Sequence, residues 1–435
     1  MSEKVPPAVE GAATTGTGAP GVPIGAPSAP RWAGLTLPAF MSALAYRNFR
    51  LLWTGAFLSS IGTWTQDLAL SWLIHTRMHD PFYLGLRAFV ADAPLLAFML
   101  LGGAVADRVD RRRILLASQV LQMAFATALW LLYATGQLGI GAILLIAALT
   151  GLTQSQSAPT YQAVITSLVP PRQIPNAVAL NSLQFNLSRA IGPALAGMLL
   201  SRAGTGVCFA VNAASFLAVI VALWRLQVPP APPPTDTLGE SLRAGMRHVA
   251  HDRLLASLTM LGAAGTLLGF PLVTYLPVIA GDVLGTGAAG YSLLLSSFGA
   301  GAILGAVATA HRGHVGGRGR AMLVALLVYG IAATAAMTAR VQLVGMALLF
   351  VAGGSLVTAF STLNSLVQEN APPALRGRVL SIYGLAFRGG MPVGSLVAGT
   401  MVGPLGAPMV IGGFSAALAV LAVANLAWNS RVRDL

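Results

Sequence analysis

The sequence predicts an all-α membrane protein in which twelve transmembrane helices form two pseudo-symmetric six-helix bundles. Of the 435 residues, 55% are hydrophobic and only 9% are charged, whereas a soluble domain carries about 25% charged residues. Apolar runs of about 20 residues, the length that a helix needs to cross a bilayer, recur along the chain. A charged segment that begins at Gly103 also returns in part at Gly305, which is 202 residues later.

The apolar runs fall into two groups of six. The first group covers residues 49–74, 83–106, 114–134, 139–167, 176–200 and 205–225, and the second covers 254–280, 288–310, 321–339, 343–366, 377–402 and 408–429. A proline-rich stretch at 228–234 separates the groups and cannot lie inside a helix. We therefore predict a disordered cytoplasmic tail over 1–45, an N-terminal bundle over 46–225, a cytoplasmic linker over 226–253, a C-terminal bundle over 254–430 and a cytoplasmic C-terminus over 431–435.

The basic residues predict the orientation. Twenty of the 26 Lys and Arg residues lie in the two termini and the even-numbered loops, and only Arg77, Arg202 and Arg340 lie on the opposite side. Loops rich in Lys and Arg stay in the cytoplasm, so we expect both termini there, in a bacterial inner membrane. This distribution also accounts for the net charge of +13, and we expect no nucleic-acid partner.

The sequence also indicates a duplication. Gly103-Ala-Val-Ala-Asp107 recurs as Gly305-Ala-Val-Ala-Thr309, and Gly204 has a counterpart in Gly406 at the same offset. Two parallel halves of six spans are related by a pseudo-two-fold axis along the membrane normal. The second copy lacks the acid, so we expect the two segments to differ in function.

Two motifs resemble those of the major facilitator superfamily. Residues 103–113 are similar to its signature between the second and third spans, G-x-x-x-D-R-x-G-R-R, with Asp110 in place of the second glycine. A second stretch is similar to the exporter-type motif G-P-x-x-G-G, with Ala196 in place of one glycine. The residues that match the two motifs are Gly103, Asp107, Arg108, Arg111, Arg112, Gly192, Pro193 and Gly197.

The resemblance implies a fold and a mechanism. The sequence looks most like the drug and siderophore exporters of the superfamily. The resemblance implies alternating access between two bundles, driven by a proton gradient. It implies that Asp107 meets a helix N-terminus near the eleventh span, where the helix dipole favours an anion. Arg108, Arg111 and Arg112 would add contacts between the bundles, although anchoring on the cytoplasmic side also explains them. We expect Gly192 and Pro193 to bend the fifth span, since proline removes a backbone donor.

Asp67, Asp92 and Arg189 are the candidates for proton coupling. Asp67 and Asp92 are the two carboxylates well inside spans, at about 9 Å and 13 Å from the outer ends of their runs at 1.5 Å per residue. Arg189 lies about 20 Å from the cytoplasmic start of the fifth span, so the three side chains reach a common depth. They are open to three roles, namely proton coupling, a static ion pair, or contact with a wet cavity. Arg87 lies near the outer surface, where we expect it to snorkel.

Polar and aromatic residues at mid-depth are the candidates for the substrate cavity. They combine apolar surface with a few polar groups, as small-molecule sites do, although aromatic residues in spans more often serve packing. Arg388 is open to two interpretations, as a site for an anionic substrate group or as a partner of Glu369 or a carbonyl. The set is Trp64, Gln66, Gln154, Gln156, Phe270, Tyr275, Phe360, Asn364 and Arg388.

The sequence therefore predicts a secondary active transporter, namely a proton-coupled exporter of small amphipathic molecules such as drugs or siderophores. Two alternatives are a carrier for a lipid, sugar or peptide, and a membrane sensor that has kept the fold. The sequence contains no P-loop, nucleophile elbow or metal-ligand motif, so we expect no enzyme activity, cofactor or metal. The expected partners are a small-molecule substrate, protons and the lipid bilayer, and we expect a monomer.

Overall fold

The computed structural model describes residues 31–32, 35–36, 38–99, 110–226, 246–312, 316–373 and 375–435. This part of the chain contains twelve long helices. They are α1 (Arg47–Met78), α2 (Phe82–Met99), α3 (Arg111–Ala134), α4 (Ile140–Ser167), α5 (Ile174–Ala203), α6 (Thr205–Arg225), α7 (Arg253–Val283), α8 (Gly287–Arg312), α9 (Arg318–Thr338), α10 (Gln342–Asn370), α11 (Arg376–Leu405) and α12 (Ala407–Trp428). The short elements are an antiparallel pair of strands, β1 (Arg31–Trp32) and β2 (Leu35–Thr36), two 3₁₀ helices (Ala39–Ala45 and Pro171–Gln173) and a terminal helix, α13 (Ser430–Arg433).

Eight of these helices are long and apolar enough to cross a membrane by their described residues, namely α3, α4, α6, α7, α8, α9, α10 and α12. The other four helices are α1, α2, α5 and α11, and they carry Asp67, Asp92, Arg189 and Arg388, respectively. The all-α membrane fold is thus confirmed, while the count of twelve spans stays a prediction.

The helices pack in two groups that follow the chain order. In the first half, α1 packs on α5 and α6, α3 packs on α4 and α6, and α2 packs on α4. In the second half, α10 packs on α8 and α9, α12 packs on α9, and α7 packs on α11. The main contacts between the groups are α2 with α11 and α5 with α8.

The junctions of the two halves show the duplication directly. Gly204 ends α5 before α6, and Gly406 ends α11 before α12. Their φ angles are 81° and 82°, a region that L-residues with a side chain rarely adopt. The glycines matched in sequence therefore make the same turn in both bundles.

The two bundles are joined on one side of the membrane. We call it the distal side; it is the side where α1 ends and α2 begins, opposite to the start of α1. One continuous apolar core includes the C-terminal bundle and the distal ends of α1 and α6, with Leu73 and Phe209 among its members. A separate core, with Phe49 and Leu223, fills the other end of the N-terminal bundle. The described contacts therefore hold the bundles together at the distal side and leave them less joined at the side of the termini.

Helix α7 changes its geometry near the distal side. It is α-helical over Arg253–Gly269 and Pro271–Val278 and ends in a π-helical turn, Ile279–Val283. Proline lacks a backbone N–H group, so Pro271 interrupts the helical hydrogen bonds after Phe270. The π-helical turn brings Asp282 towards the end of α1.

The structure corrects the limits of the predicted tail. Ala39–Ala45 lie within the region expected to be disordered, yet they form a 3₁₀ helix. Ser42 donates to Gln173 at 2.7 Å, and the Ala43 amide donates to Asn176 Oδ1 at 2.8 Å. This segment therefore belongs to the N-terminal bundle. Residues 1–30 and most of the predicted linker, 227–245, lie outside the described residues.

Candidate functional site

An ion pair joins α1 and α2 within the N-terminal bundle. The guanidinium of Arg87 donates a hydrogen bond to Asp67, and it lies 3.5 Å from the Ser71 hydroxyl. Arg87 is well buried, whereas Asp67 keeps 43% of its side-chain exposure. The expectation that Arg87 snorkels to the membrane surface is wrong, because its side chain reaches instead to the carboxylate on the neighbouring helix.

Asp92 lies close to this pair but forms no ion pair within the described part of the chain. The charged side chains that interact with it are Asp67, Arg87 and Arg388. Arg388 belongs to α11 in the other bundle and is exposed. Asp67, Arg87, Asp92 and Arg388, which we call the charged network, thus span the boundary between the bundles. Arg388 forms no ion pair with Glu369, which binds Arg318 at 2.7 Å.

Helix α8 completes the surroundings of the network from the second bundle. Tyr291 is 3% exposed, and its ring stacks on Trp72 of α1 with ring centroids 6.3 Å apart. Tyr291 interacts electrostatically with both Asp67 and Arg87. Closure at the distal side therefore places a C-terminal-bundle phenol beside the N-terminal-bundle ion pair.

A second polar contact joins the bundles nearer to the distal surface. His75 Nε2 at the end of α1 lies 3.4 Å from Asp282 Oδ1 in the π-helical turn of α7. A Cβ at Gly281 would lie 2.3 Å from His75 Nε2, so the glycine leaves room for the imidazole in its present position. The pair closes the distal side in the present conformation.

Arg189 lies apart from the charged network. Its guanidinium carbon is 5.6 Å from the centroid of Trp64 and 5.4 Å from that of Phe298. No carboxylate lies within ion-pair distance of it among the described residues. The expected cluster of Asp67, Asp92 and Arg189 therefore does not form as ion pairs, and Arg87 occupies the place predicted for Arg189.

The predicted aromatic residues of the second bundle come together. Phe270 and Phe360 stack with centroids 6.3 Å apart, and Phe360 meets the edge of Phe387 at 4.8 Å. Tyr383 lies next to Phe387 at 5.7 Å. Sequence reasoning missed Phe387 and Tyr383, although they precede Arg388 by one and five positions on the same helix. These four rings form an apolar wall on α7, α10 and α11.

Tyr275 serves packing in the structure and not the cavity. It is completely buried, and its hydroxyl donates to the Ser395 carbonyl at 2.9 Å. Gln66 accepts a hydrogen bond from Asn212 at 2.8 Å, which ties α1 to α6 within one bundle. Both residues were predicted for the cavity, and the side chain of each makes its hydrogen bond within its own bundle.

The other predicted polar residues remain accessible. Gln154 and Asn364 are exposed, and Gln156 is half-buried. Gln154 is nine residues after the exposed Leu145 on α4, which is two and a half helical turns and places the two on opposite faces. Gln154 therefore lies away from the lipid-facing side of α4. No group of three or more His, Cys, Asp or Glu residues able to hold a metal ion occurs in the described ranges.

A family model described as transmembrane secretion effector matches residues 39–435. The chain belongs to the transmembrane secretion effector family. Among curated relatives, the enterobactin exporter EntS of Shigella boydii serotype 18 (strain CDC 3083-94 / BS512) is 24% identical over 83% of this chain and 86% of its own length. The staphyloferrin A transporter of Staphylococcus aureus (strain NCTC 8325 / PS 47) is 30% identical, over 40% of this chain and 44% of its own length.

Solved structures confirm the fold of this family member. A mutant of the nucleoside transporter NupG has a TM-score of 0.72 at 13% identity and covers 87% of this chain and 99% of its own. A bacterial homologue of the human lysosomal transporter Spinster, in an inward-facing and unoccupied conformation, has a TM-score of 0.70 at 16% identity and covers 91% and 98%. The chain therefore has the major facilitator fold. Its family and its curated relatives make it a multi-pass membrane transporter.

The signature segment of this family member is described only in part. Gly103, Asp107 and Arg108 lie outside the described residues.

Asp110 caps α3 by accepting from the Arg112 amide at 2.8 Å. The Arg112 guanidinium donates to the carbonyls of Leu223, at 2.9 Å, and Trp224. Arg112 therefore binds the C-terminal end of α6 in its own bundle, where a cation complements the helix dipole, and the predicted contact between bundles is wrong for this residue. Arg111 is half-buried and has no hydrogen bond from its side chain in the described part.

The exporter-type motif lies where α5 touches both bundles. A Cβ at Gly192 would lie 2.4 Å from the Cβ of Trp64, and one at Gly197 would lie 2.2 Å from the Ser292 hydroxyl. The Ser292 hydroxyl donates to the Pro193 carbonyl at 2.6 Å. Helix α5 is continuous through Pro193, so the motif acts here as a close contact between helices.

Proposed function

We propose that the chain is a proton-coupled secondary active exporter of small amphipathic molecules of the siderophore or drug type. Membership of the secretion effector family and similarity to an enterobactin exporter and a staphyloferrin A transporter support the transport of a siderophore-like cargo. The half-buried rings of Phe270, Phe360 and Phe387 in the aromatic wall suit such a cargo, since small-molecule sites are mostly apolar with few polar groups. Trp64, Gln154 and Asn364 complete the proposed cavity.

The charged network is the observation that carries the proton-coupled part of the proposal. Charged residues within spans are costly and serve function or pair with one another. Asp67 has a partner in Arg87, whereas Asp92 lies beside another carboxylate and, in the described ranges, has no ion pair. A carboxylate in this situation is well suited to bind a proton, because neutralisation removes both the unpaired charge and the repulsion from its neighbour.

Alternating access gives the proton a role in transport. Asp92 lies on α2 and Arg388 on α11, so protonation of Asp92 weakens an attraction between the two bundles. A change of charge at this boundary shifts the balance between conformations that differ in how the bundles meet. We propose that proton binding and cargo binding favour opposite conformations. The distribution of basic residues supports a place in a bacterial inner membrane with both termini in the cytoplasm, and we propose that the protein works there as a monomer.

Reconstituted vesicles test the proposal. Uptake of enterobactin, with staphyloferrin A as a second cargo, is measured in proteoliposomes under an imposed pH gradient, and internal pH is followed with a trapped dye. Asp92→Asn and Asp67→Asn should each lower gradient-driven uptake by about tenfold or more, a loss typical when a group that moves a proton is removed. Asp434→Asn is the matched control, because Asp434 is exposed and pairs only with its neighbour Arg433 among the described residues.

The outcomes separate the candidate functions. Full gradient-driven uptake by both Asp67→Asn and Asp92→Asn would refute the proposed coupling. Uptake without proton movement would instead favour a carrier of another kind, for a lipid, sugar or peptide. No uptake of any cargo by the unsubstituted protein would favour a sensor.

A further inference from the structure

Arg189 presents an unpaired guanidinium where the two bundles meet. Its Nε atom is buried and has no hydrogen-bond partner, and no carboxylate lies within ion-pair distance in the part of the chain that the structure describes. Arg87, another arginine inside a span, is paired with Asp67. The residue as a whole is half-buried. A cation held at an apolar contact between helices without a partner is costly, so this unpaired charge points to a ligand that supplies the missing anion.

Aromatic rings from both bundles fix the position of this guanidinium. Trp64 on α1 and Phe298 on α8 lie 5.6 Å and 5.4 Å from its central carbon, within the range of cation–π attraction. A ring attracts the charge but takes up none of the N–H donors of arginine, so those of the two terminal nitrogens are left for an oxygen ligand. Phe185 meets the edge of Trp64 at 5.9 Å and is 52% exposed, so an accessible aromatic surface adjoins the cation.

Close backbone contacts hold Arg189 and Trp64 in place before any ligand binds. Gly192 allows Trp64 to approach α5, because a Cβ there would lie 2.4 Å from the Trp64 Cβ. Gly299 of α8 lies against the Arg189 carbonyl, at 3.4 Å from a Cβ built on the glycine. A site whose groups are already ordered loses little freedom on binding.

We propose that Arg189, Trp64 and Phe298 form a binding subsite for a carboxylate attached to an aromatic ring. The planar guanidinium matches a carboxylate with two parallel hydrogen bonds, and the ring of the ligand packs on Trp64 and Phe185. This inference rests on the proposed function, since the ligand is the transported molecule. Helices α5 and α8 belong to different bundles, so the bound anion contacts both and its affinity changes when they move apart.

Salicylate and its neutral analogue salicylamide test the subsite. Binding of each radiolabelled compound is measured to the full chain in nanodiscs of phosphatidylcholine alone, which removes acidic lipid as a source of the anion. The unsubstituted protein should bind salicylate at least about tenfold more tightly than salicylamide, and Arg189→Gln should lose about tenfold or more in salicylate affinity while binding salicylamide unchanged. The salicylate affinity of Arg189→Lys should lie between those of the unsubstituted protein and Arg189→Gln, because lysine keeps the charge but not the paired donors.

Arg77→Gln is the matched control. Arg77 also lies over an aromatic ring, 5.3 Å from the centroid of Tyr133, but it is exposed at the distal end of α1. Its substitution should leave salicylate binding unchanged. Equal affinity for the two compounds, no binding of salicylate, or an Arg189→Gln variant that binds salicylate normally would each overturn the subsite.

The comparison of the two compounds on the unsubstituted protein needs no variant, so misfolding of Arg189→Gln cannot conceal the result. Binding is measured without a pH gradient. Failure of the subsite therefore leaves a positive result for proton-coupled uptake standing, and failure of the coupling leaves the binding result standing.

Discussion

Gly85 lies on α2 where the distal ends of the bundles touch, and its replacement by alanine tests whether this contact maintains the present conformation. A Cβ at this position would lie 2.3 Å from the Ser395 carbonyl oxygen and 2.4 Å from the Tyr275 hydroxyl. Both distances are about 1 Å short of van der Waals contact. The Ser395 oxygen belongs to the backbone of α11, so the two helices must separate to accommodate the methyl group.

The expected size of the effect follows from this overlap. Extra methyl groups in a well-packed contact cost about 1–3 kcal/mol. Gly85→Ala imposes this cost only on the conformation in which α2 and α11 touch at the distal side. Since about 1.4 kcal/mol is a tenfold change in an equilibrium, we expect a shift of about 5- to 150-fold towards the distally open conformation.

Distance measurements between spin labels detect the shift. Cys208 is the one cysteine of the chain and is completely buried, so Cys208→Ala gives a background for labels at Thr76 on α1 and Met409 on α12. Both positions are exposed at the distal ends of their bundles. Double electron–electron resonance in nanodiscs should show that a longer distance between the two labels gains population in Gly85→Ala.

Gly389→Ala provides the comparison at the same pair of helices. The nearest side-chain atom to a Cβ at Gly389 is Leu96 Cδ2 at 3.8 Å, an ordinary contact. This variant should keep the original distance distribution. If Gly85→Ala also keeps it, the distal contact of α2 and α11 does not control the conformation.

Three further predictions concern stability and are checked by thermal unfolding in detergent. Arg87→Gln and Asp67→Asn should be coupled by about 1 kcal/mol in a double-mutant cycle, a modest value because Asp67 keeps 43% side-chain exposure; additive effects would contradict the ion pair. Asp110→Ala removes the cap of α3 and should lower the free energy of unfolding by about 1 kcal/mol, whereas Asp110→Asn should retain most of the stabilisation by the cap. Tyr275→Phe leaves the buried Ser395 carbonyl without its donor and should cost about 1 kcal/mol; an unchanged Tm would show that this hydrogen bond contributes nothing.

Hydropathy and repeated motifs predicted the fold because they depend on helix length and chain order alone. The glycines matched in sequence, Gly204 and Gly406, both have a positive φ angle at the same helix junction of each half. The depth argument also placed Asp67 and Asp92 near each other, as the structure shows. Depth along a helix is readable from sequence, since each residue adds about 1.5 Å.

The partners of these carboxylates depend on which face of a helix meets which neighbouring helix. The sequence does not show which faces meet. Helix α1 carries polar side chains around its circumference, so periodicity does not distinguish the face towards α2 from the face towards α5. Arg87 was assigned to the surface from the position of its backbone. The backbone of Arg87 lies only about 3 Å nearer to the distal surface than that of Asp67 on the same depth scale. This difference is well within the reach of an arginine side chain. Applying the depth argument to Arg87 would have found the pair.

The charged residues inside α1 and α5 have a consequence for how the protein enters the bilayer. A helix that carries Asp67 or Arg189 partitions into lipid less readily than its apolar neighbours, since a charged residue at the centre costs about 2.5–3.5 kcal/mol on insertion scales. Arg87 on the second helix offsets part of this cost for Asp67 only after both helices have inserted. We therefore expect insertion of the N-terminal bundle to be cooperative, with the first two helices entering the lipid as a pair.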